Sequence, residues 1–315
     1  MTEFELIARI GQLYADIPRN GFEEPGDDCT VLAVGKGTSL LFSTDLLTEG
    51  IHFLRNTTPA YELGRKALAV NLSDIAAMGG RTAATLLSLA LPPDAAGSWA
   101  EEFLRGYRDL SREEGVMLAG GDTTSSRRDI TINVTVIGRA PDDHIKRRSD
   151  ARPGDAIVTA GKLGASGAGL RDLLTGNFDS PNACIHNVPV AQTDEGVWLG
   201  EQAEVHAMLD LSDGLASDLR HILKASHVGA SIHVEQIPVA SCSDLLTAVT
   251  GGEDYKLLFT VAPEALPRLC QEFEARFGYP CHPIGHITAP ADEEIVWLQR
   301  GKRIRPDWHG YEHNT

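Results

Sequence analysis

Residues 66–80 read KALAVNLSDIAAMGG, and their reading decides the fold. Extended back to Tyr61, the stretch is rich in Ala and Leu. Leu63, Ala67, Val70 and Met78 recur at helical spacing, which predicts a helix over 61–78 that Gly79 and Gly80 stop. Short β-prone runs stand on either side: SLLFSTD (39–45), which leaves its strand on a carboxylate, and TLLSLALP (85–92). A helix over 98–114 and strands VMLAGGD (116–122) and ITINVTVIGR (130–139) follow. An amphipathic helix over 3–14, carried by Phe4, Ile7, Ile10 and Leu13, opens the chain ahead of a turn-rich stretch. Strands alternating with helices mean an α/β layered domain.

The second half repeats the alternation. It reads as strand AIVTAG (156–161), a small-residue helix over 165–174, a helix after Asp213, strands SIHVEQI (231–237) and YKLLFTV (255–261), a helix over 264–277, and further strands. Between the halves, PDDHIKRRSDARPG (141–154) is polar, charged and flanked by prolines, the composition of an exposed connection. The boundary is set there, giving two α/β domains, 1–140 and 141–315. No repeat of fixed period and no low-complexity segment is visible.

Composition narrows the function. At 42% hydrophobic and 23% charged, with no apolar run near the roughly 18 to 20 residues of a membrane span, the 315-residue chain reads as a globular protein with no membrane partner. Its 28 basic against 44 acidic residues give a formal net charge of -16, which disfavours a nucleic-acid partner. Five scattered cysteines, none in a Cys-x-x-Cys pair, suggest neither a disulfide framework nor a thiolate zinc site. Met1 to Arg9 does not resemble a secretory signal, so a cytoplasmic location is expected.

Six segments place aspartates where turn propensity alone does not require them: GDD (26–28), STD (43–45), NLSD (71–74), GGD (120–122), DLSDG (210–214) and GGED (251–254). Asn71 and Asp74, three apart on a helix, share a face. Clustered carboxylates repel unless a cation sits among them, and oxygen ligands without a His or Cys framework suit Mg²⁺ better than zinc. DLSDG departs from an EF-hand loop at Ser212 and Gly214. No GxxxxGK[ST] loop is present, because Gly161-Lys162 continues with Leu163. A nucleotide here would be held mainly through metal. The Gly-rich GKLGASGAGL (161–170) could cradle an anion at a helix N-terminus, but close packing through small side chains is the favoured reading.

The segments GDDC, STDLLTEGIHF, KALAVNLSDIAAMGG, GGDTT, RRSDARPGD, DLSDGLASDL and GGEDYKLLF together resemble the thiamine-monophosphate kinase family, in order and spacing, from about residue 4 to 311. The wider superfamily includes aminoimidazole ribonucleotide synthetase, selenophosphate synthetase and a hydrogenase-maturation protein. The resemblance implies an α/β, two-domain aminoimidazole ribonucleotide synthetase-like fold and a homodimer formed through the N-terminal domain sheets. It implies ATP as co-substrate, several Mg²⁺ ions and, as a further ion, K⁺. Its metal ligands fall on Asp28, Thr44, Asp45, Asp74, Asp122 and Asp210, with Ser43 and Asp213 as further candidates. Its ATP contacts fall on Gly121, Asp122, Arg148 and Ser212, and its substrate contacts on His52, Glu253 and Tyr311. Lys66 and Asn71 are held as support residues, and Asp27 as a turn-forming partner of Asp28. The tail DWHGYEHN (307–314) departs from the family pattern at Asn314, where a Phe is common.

The implied chemistry is transfer of the ATP γ-phosphoryl group to the phosphate of thiamine monophosphate. A phosphate monoester has a second pKa near 6, so its oxygen is already largely deprotonated and no general base is required. The difficulty is bringing two anions together and neutralising the charge of the transferred group. Another ATP-using member of the superfamily, such as a ring-closing ligase, would share the acidic site. A noncatalytic acidic ion-binding protein would bind divalent ions without ATP turnover.

Overall fold

The computed structural model describes residues 3–291 and 293–311, the first two of these by backbone alone. Expectations for the Phe4 side chain, for Met1 and for Asn314 therefore lie outside the described residues. The first half runs α1 (Glu3–Leu13), β1 (Thr30–Gly35), β2 (Thr38–Thr48), α2 (Ala60–Ala77), β3 (Arg81–Leu91), α3 (Ser98–Glu114), β4 (Met117–Ser125) and β5 (Thr131–Pro141). Its five strands form one sheet in the order β1-β2-β5-β3-β4. Only β3 and β4, joined by α3, pair in parallel; the other neighbours are antiparallel.

α2 explains its own composition. Leu63, Leu68 and Leu72 pack with Leu87, Leu89, Ile132 and Val134 of the sheet, while Ile75 and Met78 pack with Leu41 and Val136. Toward the other half, Ala77 joins Val158, Trp198 and Phe259. The helix is covered on all sides, and its polar residues Lys66, Asn71 and Ser73 are buried along with the apolar ones. It sits close to α3 because Gly64 faces the carbonyl of Phe103 where a Cβ would stand 2.0 Å away.

The second half runs β6 (Ala156–Thr159), α4 (Ala165–Leu174), α5 (Pro181–Asn187), α6 (Thr193–Gly200), β7 (Val205–Asp210), α7 (Leu215–Ser226), β8 (Gly229–His233), α8 (Leu245–Thr250), β9 (Leu257–Val261), α9 (Leu266–Phe277), β10 (His282–Thr288), β11 (Ile295–Gln299) and β12 (Lys302–Ile304). The seven strands are ordered β12-β11-β8-β10-β6-β9-β7, antiparallel except for β8 with β11. Leu215, Leu219 and Ile222 cover one face of this sheet; Leu269, Phe273 and Trp198 cover the other. Every residue of β6 and β9 is buried, which is why both read as unbroken apolar runs.

The stretch 141–154 is exposed at both ends, as its composition predicts, while 144–148 and Ala151 are buried or half-buried. Two short 3-10 turns, at 142–144 and 148–150, fold it between the halves, and Ile145, Lys146 and Ala151 are buried. Lys146 Nζ donates to the Gln202 carbonyl at 2.8 Å. Its charges looked solvated in sequence because their partners lie elsewhere in the chain.

Candidate active site

Four elements converge on a carboxylate cluster. Side chains alternate along β2, so Ser43 and Asp45 turn toward α2 together with buried Leu41 and Leu47. α2 contributes Ser73 and Asp74, β7 ends on Asp210, and Asp28 sits just before β1. Carboxylate oxygens of Asp28, Asp74 and Asp210 lie within 4.8 Å of one another. Ser43 Oγ donates to Asp74 Oδ2 at 2.6 Å and Ser73 Oγ to Asp210 Oδ2 at 2.5 Å. Arg148 Nη2 donates to Asp28 Oδ1 at 2.5 Å, and the Arg148 backbone N–H is held by Asp27 Oδ1 at 2.7 Å.

One guanidinium does not balance this many acids. Burial, then Asp45, Asp210 and Asp28, pushes the Asp74 carboxyl well above its usual range. Burial and Asp28 push Asp210 up to about 7 and Asp45 up to about 6. At 4.8 Å, each close pair of negative charges costs roughly 3 kcal/mol at an effective dielectric constant of about 20. Asp28 Oδ2 is buried and, among the described residues, has no hydrogen-bond partner. A hard divalent cation fits these residues, since the donors are all oxygens and one is orphaned.

Beside the cluster opens a cavity of about 560 Å³, within the range of small-molecule sites. Asp45, Asp74, Ser212, Asp213, His52, Glu253, Tyr311 and His186 are among the residues that line it. Thr48 N–H donates to His52 Nδ1 at 3.0 Å, which fixes the ring proton on Nε2. Tyr311 is half-exposed and tethered by its N–H to the Asp213 carbonyl at 3.0 Å. The tail leading to it is pinned by Trp308, whose ring stands edge-on to Trp297 at 4.9 Å.

Glu253 is the most constrained of these residues. Its backbone and that of Tyr255 are left-handed, with φ of 63° and 47°. The backbone N–H groups of Glu253 and Tyr255 donate to the carbonyls of Ser212 and Leu211, which ties GGEDY to DLSDG. Such conformations cost on the order of 1 kcal/mol each and gather where geometry matters. Burial works against the Glu253 charge, but the Lys66 ammonium, the largest opposing influence, helps hold the carboxyl below its usual range. Lys66 Nζ lies 3.0 Å and His186 Nε2 3.3 Å from Glu253 Oε2.

Four expected positions stand apart. Thr44 points to the opposite face of β2, donating to the Val134 carbonyl at 3.1 Å. Gly121 and Asp122 lie on β4, whose nine residues are all exposed. The register puts Asp122 in the rank Leu46, Asn133, Ser88, Asp122, three strands from β2 and so roughly 14 Å across the sheet. Asn71 turns back on its own helix, its Nδ2 donating to the Ala67 carbonyl at 3.0 Å.

The Gly-rich segment supports the packing reading. Asp254 accepts the N–H groups of Gly164 and Ser166 at the start of α4, so a carboxylate of the chain itself already caps that terminus. Sequence reasoning missed Ser73, although NLSD contained it. It also passed over His186, which has no ligand spacing to betray it.

The models of two families match, AIR synthase related protein, N-terminal domain, over residues 26–140, and AIR synthase related protein, C-terminal domain, over 152–298. Thiamine-monophosphate kinase of Escherichia coli (strain K12) is 37% identical, over 99% of this chain and 98% of the relative. Among solved structures, AaThiL complexed with AMPPCP and TMP superposes with a TM-score of 0.84 at 30% identity, covering 99% of this chain and 97% of that one. Thiamine-monophosphate kinase from Stenotrophomonas maltophilia K279a superposes with a TM-score of 0.77 at 31% identity, covering 96% and 98%.

Proposed function

The chain belongs to the thiamine-monophosphate kinase family, and from that membership we propose how its own residues carry out ATP-dependent phosphorylation of thiamine monophosphate to thiamine diphosphate. The observation that carries the reading is the crowding of Asp28, Asp74 and Asp210 around a buried carboxylate oxygen that has no hydrogen-bond partner among the described residues, beside the cavity that Asp74 lines. Asp28, Asp45, Asp74 and Asp210 would hold Mg²⁺, with the Ser43 hydroxyl beside them and Asp213 on the cavity wall. When bound, Mg²⁺ supplies neutralisation of the charge that spreads over the transferred phosphoryl oxygens.

The protein's part is placement. Arg148 brings a fixed positive charge to the cluster edge through Asp28 and, with Ser212, is assigned to ATP. His52 presents its Nε2 proton on the substrate side, where a hydrogen-bond donor suits a phosphate. Glu253 and Tyr311 take the thiamine end. A permanent thiazolium cation is stabilised by a carboxylate and by an aromatic face. The acceptor phosphate is already an anion at neutral pH, so no side chain needs to abstract a proton.

We assign a homodimer. α1 leaves Leu6, Ile7, Ile10 and Leu13 exposed, and β4 leaves Met117 and Leu118 exposed at the sheet edge. Thr44 points away from the cluster, and Asp122 lies three strands from β2, roughly 14 Å across the sheet, too far to complete the site by contact within one chain. Gly121 and Asp122 therefore serve a site that a second copy completes. Domains 1–140 and 141–315 remain the proposed division, since one sheet ends at Pro141 and the other begins at Ala156. Among the described residues no helix is long and apolar enough to cross a membrane, and all five cysteines are free. We place the protein in the cytoplasm. Incubation with ATP, Mg²⁺ and thiamine monophosphate, followed by chromatography, should yield thiamine diphosphate; a folded preparation that yields none overturns the reading.

A further inference from the structure

We infer that His186 is a positioning residue for the thiamine end of the cavity: with Lys66 it fixes the Glu253 carboxylate in the orientation that receives the substrate's cation, and the Gly-rich segment 161–170 brings it there. This rests on the kinase reading above.

The geometry is a closed relay of four side chains. Ser166 Oγ lies 2.9 Å from His186 Nδ1, His186 Nε2 lies 3.3 Å from Glu253 Oε2, and Lys66 Nζ lies 3.0 Å from the same oxygen. His186, Lys66 and Ser166 are all buried. Burial first, and then Lys66, depresses the imidazole to about 4, so the ring is neutral at physiological pH. A neutral ring carries one N–H. We assign that N–H to Nε2, which faces Glu253 Oε2 at 3.3 Å, with the Ser166 hydroxyl donating to Nδ1. Lys66 Nζ donates to the same oxygen, Oε2, so both neighbours converge on one side of the carboxylate.

The neutrality matters for a cationic substrate. Lys66 and Glu253 cancel each other's charge. A second cation at His186 would leave the trio net positive at the wall that has to accept thiazolium. A neutral imidazole orients the carboxylate without that repulsion, which an Arg or Lys in its place could not do.

α5 carries His186 and must lie close to α4 for the relay to close. Gly169 permits it: a Cβ there would stand 2.1 Å from the Asn182 carbonyl and 2.8 Å from His186 Cβ. Asp254, next to Glu253 in sequence, anchors the start of α4 by accepting the Ser166 N–H at 3.0 Å. Asn187 anchors the other side, its Nδ2 donating to Glu62 Oε2 at 2.9 Å near the start of α2. The glycines that matched no phosphate loop are thus explained by helix approach.

Steady-state kinetics of the full chain tests this. His186→Leu should raise KM for thiamine monophosphate about tenfold, the loss of one hydrogen bond to a charged group, while kcat and KM for ATP stay within about twofold. His186→Gln, whose amide N–H reaches the position of Nε2, should restore KM to within about threefold of the parent. Gly169→Ala should shift the same constant in the same direction. A merely structural histidine would lower active enzyme, and hence apparent kcat, without splitting the two KM values. Should His186→Leu fail to fold by circular dichroism, Ser166→Ala, which removes the donor to Nδ1, should still raise KM for thiamine monophosphate about threefold. Unchanged KM for that substrate, or equal increases toward both, overturns the inference while the parent's turnover leaves the kinase reading standing. A parent enzyme without turnover overturns both.

Discussion

Replacing Asp74 with Asn probes the carboxylate cluster through stability as well as activity. In the metal-free protein the cluster binds protons that the unfolded chain does not, because its folded pKa values are raised, Asp45 to about 6 and Asp210 to about 7. Excess protons on the folded state mean that stability falls as pH rises from the ordinary carboxylate range through those values. For Asp45 alone the loss is about 3 kcal/mol, the same size as the repulsion of one pair at 4.8 Å. Asp74→Asn removes one of the crowded charges at nearly constant volume. It also weakens the bond from Ser43, worth about 1 kcal/mol. In chelator at pH 9 the variant should be about 2 kcal/mol more stable than the parent, and at pH 5 nearly equal to it. Mg²⁺ at a hundredfold excess over its Kd should stabilise the parent by about 2.7 kcal/mol, and the variant by much less. Thermal unfolding across pH, with and without Mg²⁺, reads all of this. Turnover should fall on the order of 10²-fold or more. A variant that tracks the parent at every pH in chelator, gains equally from Mg²⁺, or keeps near-parental kcat would refute the reasoning.

Further outcomes follow from other parts of the site. Tyr311→Ala should raise KM for thiamine monophosphate by about 30-fold, the equivalent of a desolvated cation–π contact of roughly 2 kcal/mol, with little change for ATP, while Tyr311→Phe should be nearly silent in the same assay. Arg148→Met strands the Asp28 carboxylate and should cost on the order of 3 kcal/mol of stability in chelator, measured by urea unfolding, of which Mg²⁺ recovers a part. Asp74→Asn and Asp122→Asn, each inactive alone, should regain turnover when unfolded together and refolded as mixed dimers; no recovery in a mixture shown to contain heterodimers would return Asp122 to its own chain's site.

The helices at 98–114 and 165–174 were legible to the residue, because each combines a clear period with a glycine at one boundary. β7 was not, although it carries Asp210. Buried on almost every residue, VHAMLD offers no alternation to read. The alternation of elements gave the α/β layering but not the pairing, which is mostly antiparallel because loops return strands to neighbours distant in sequence. At the site, the aspartates announced themselves through their crowding in glycine-rich turns. Asp122 did so too, yet a motif carries no information about which strand separates it from the others. His186 was invisible because what makes it matter is contact with Glu253, 67 positions later in the chain. The middle of the linker was hidden for the same reason: Arg148 and Lys146 are charged in sequence and partnered only in three dimensions.

The most direct test follows the labelled γ-phosphate of ATP in the presence of thiamine monophosphate. Transfer through this site requires the label to appear in thiamine diphosphate in equal amount to the ADP formed, to vanish when Mg²⁺ is chelated, and to vanish in Asp210→Asn. Label released only as inorganic phosphate, closure of a formylglycinamidine nucleotide in place of thiamine diphosphate, or transfer that survives both chelation and Asp210→Asn would contradict the account.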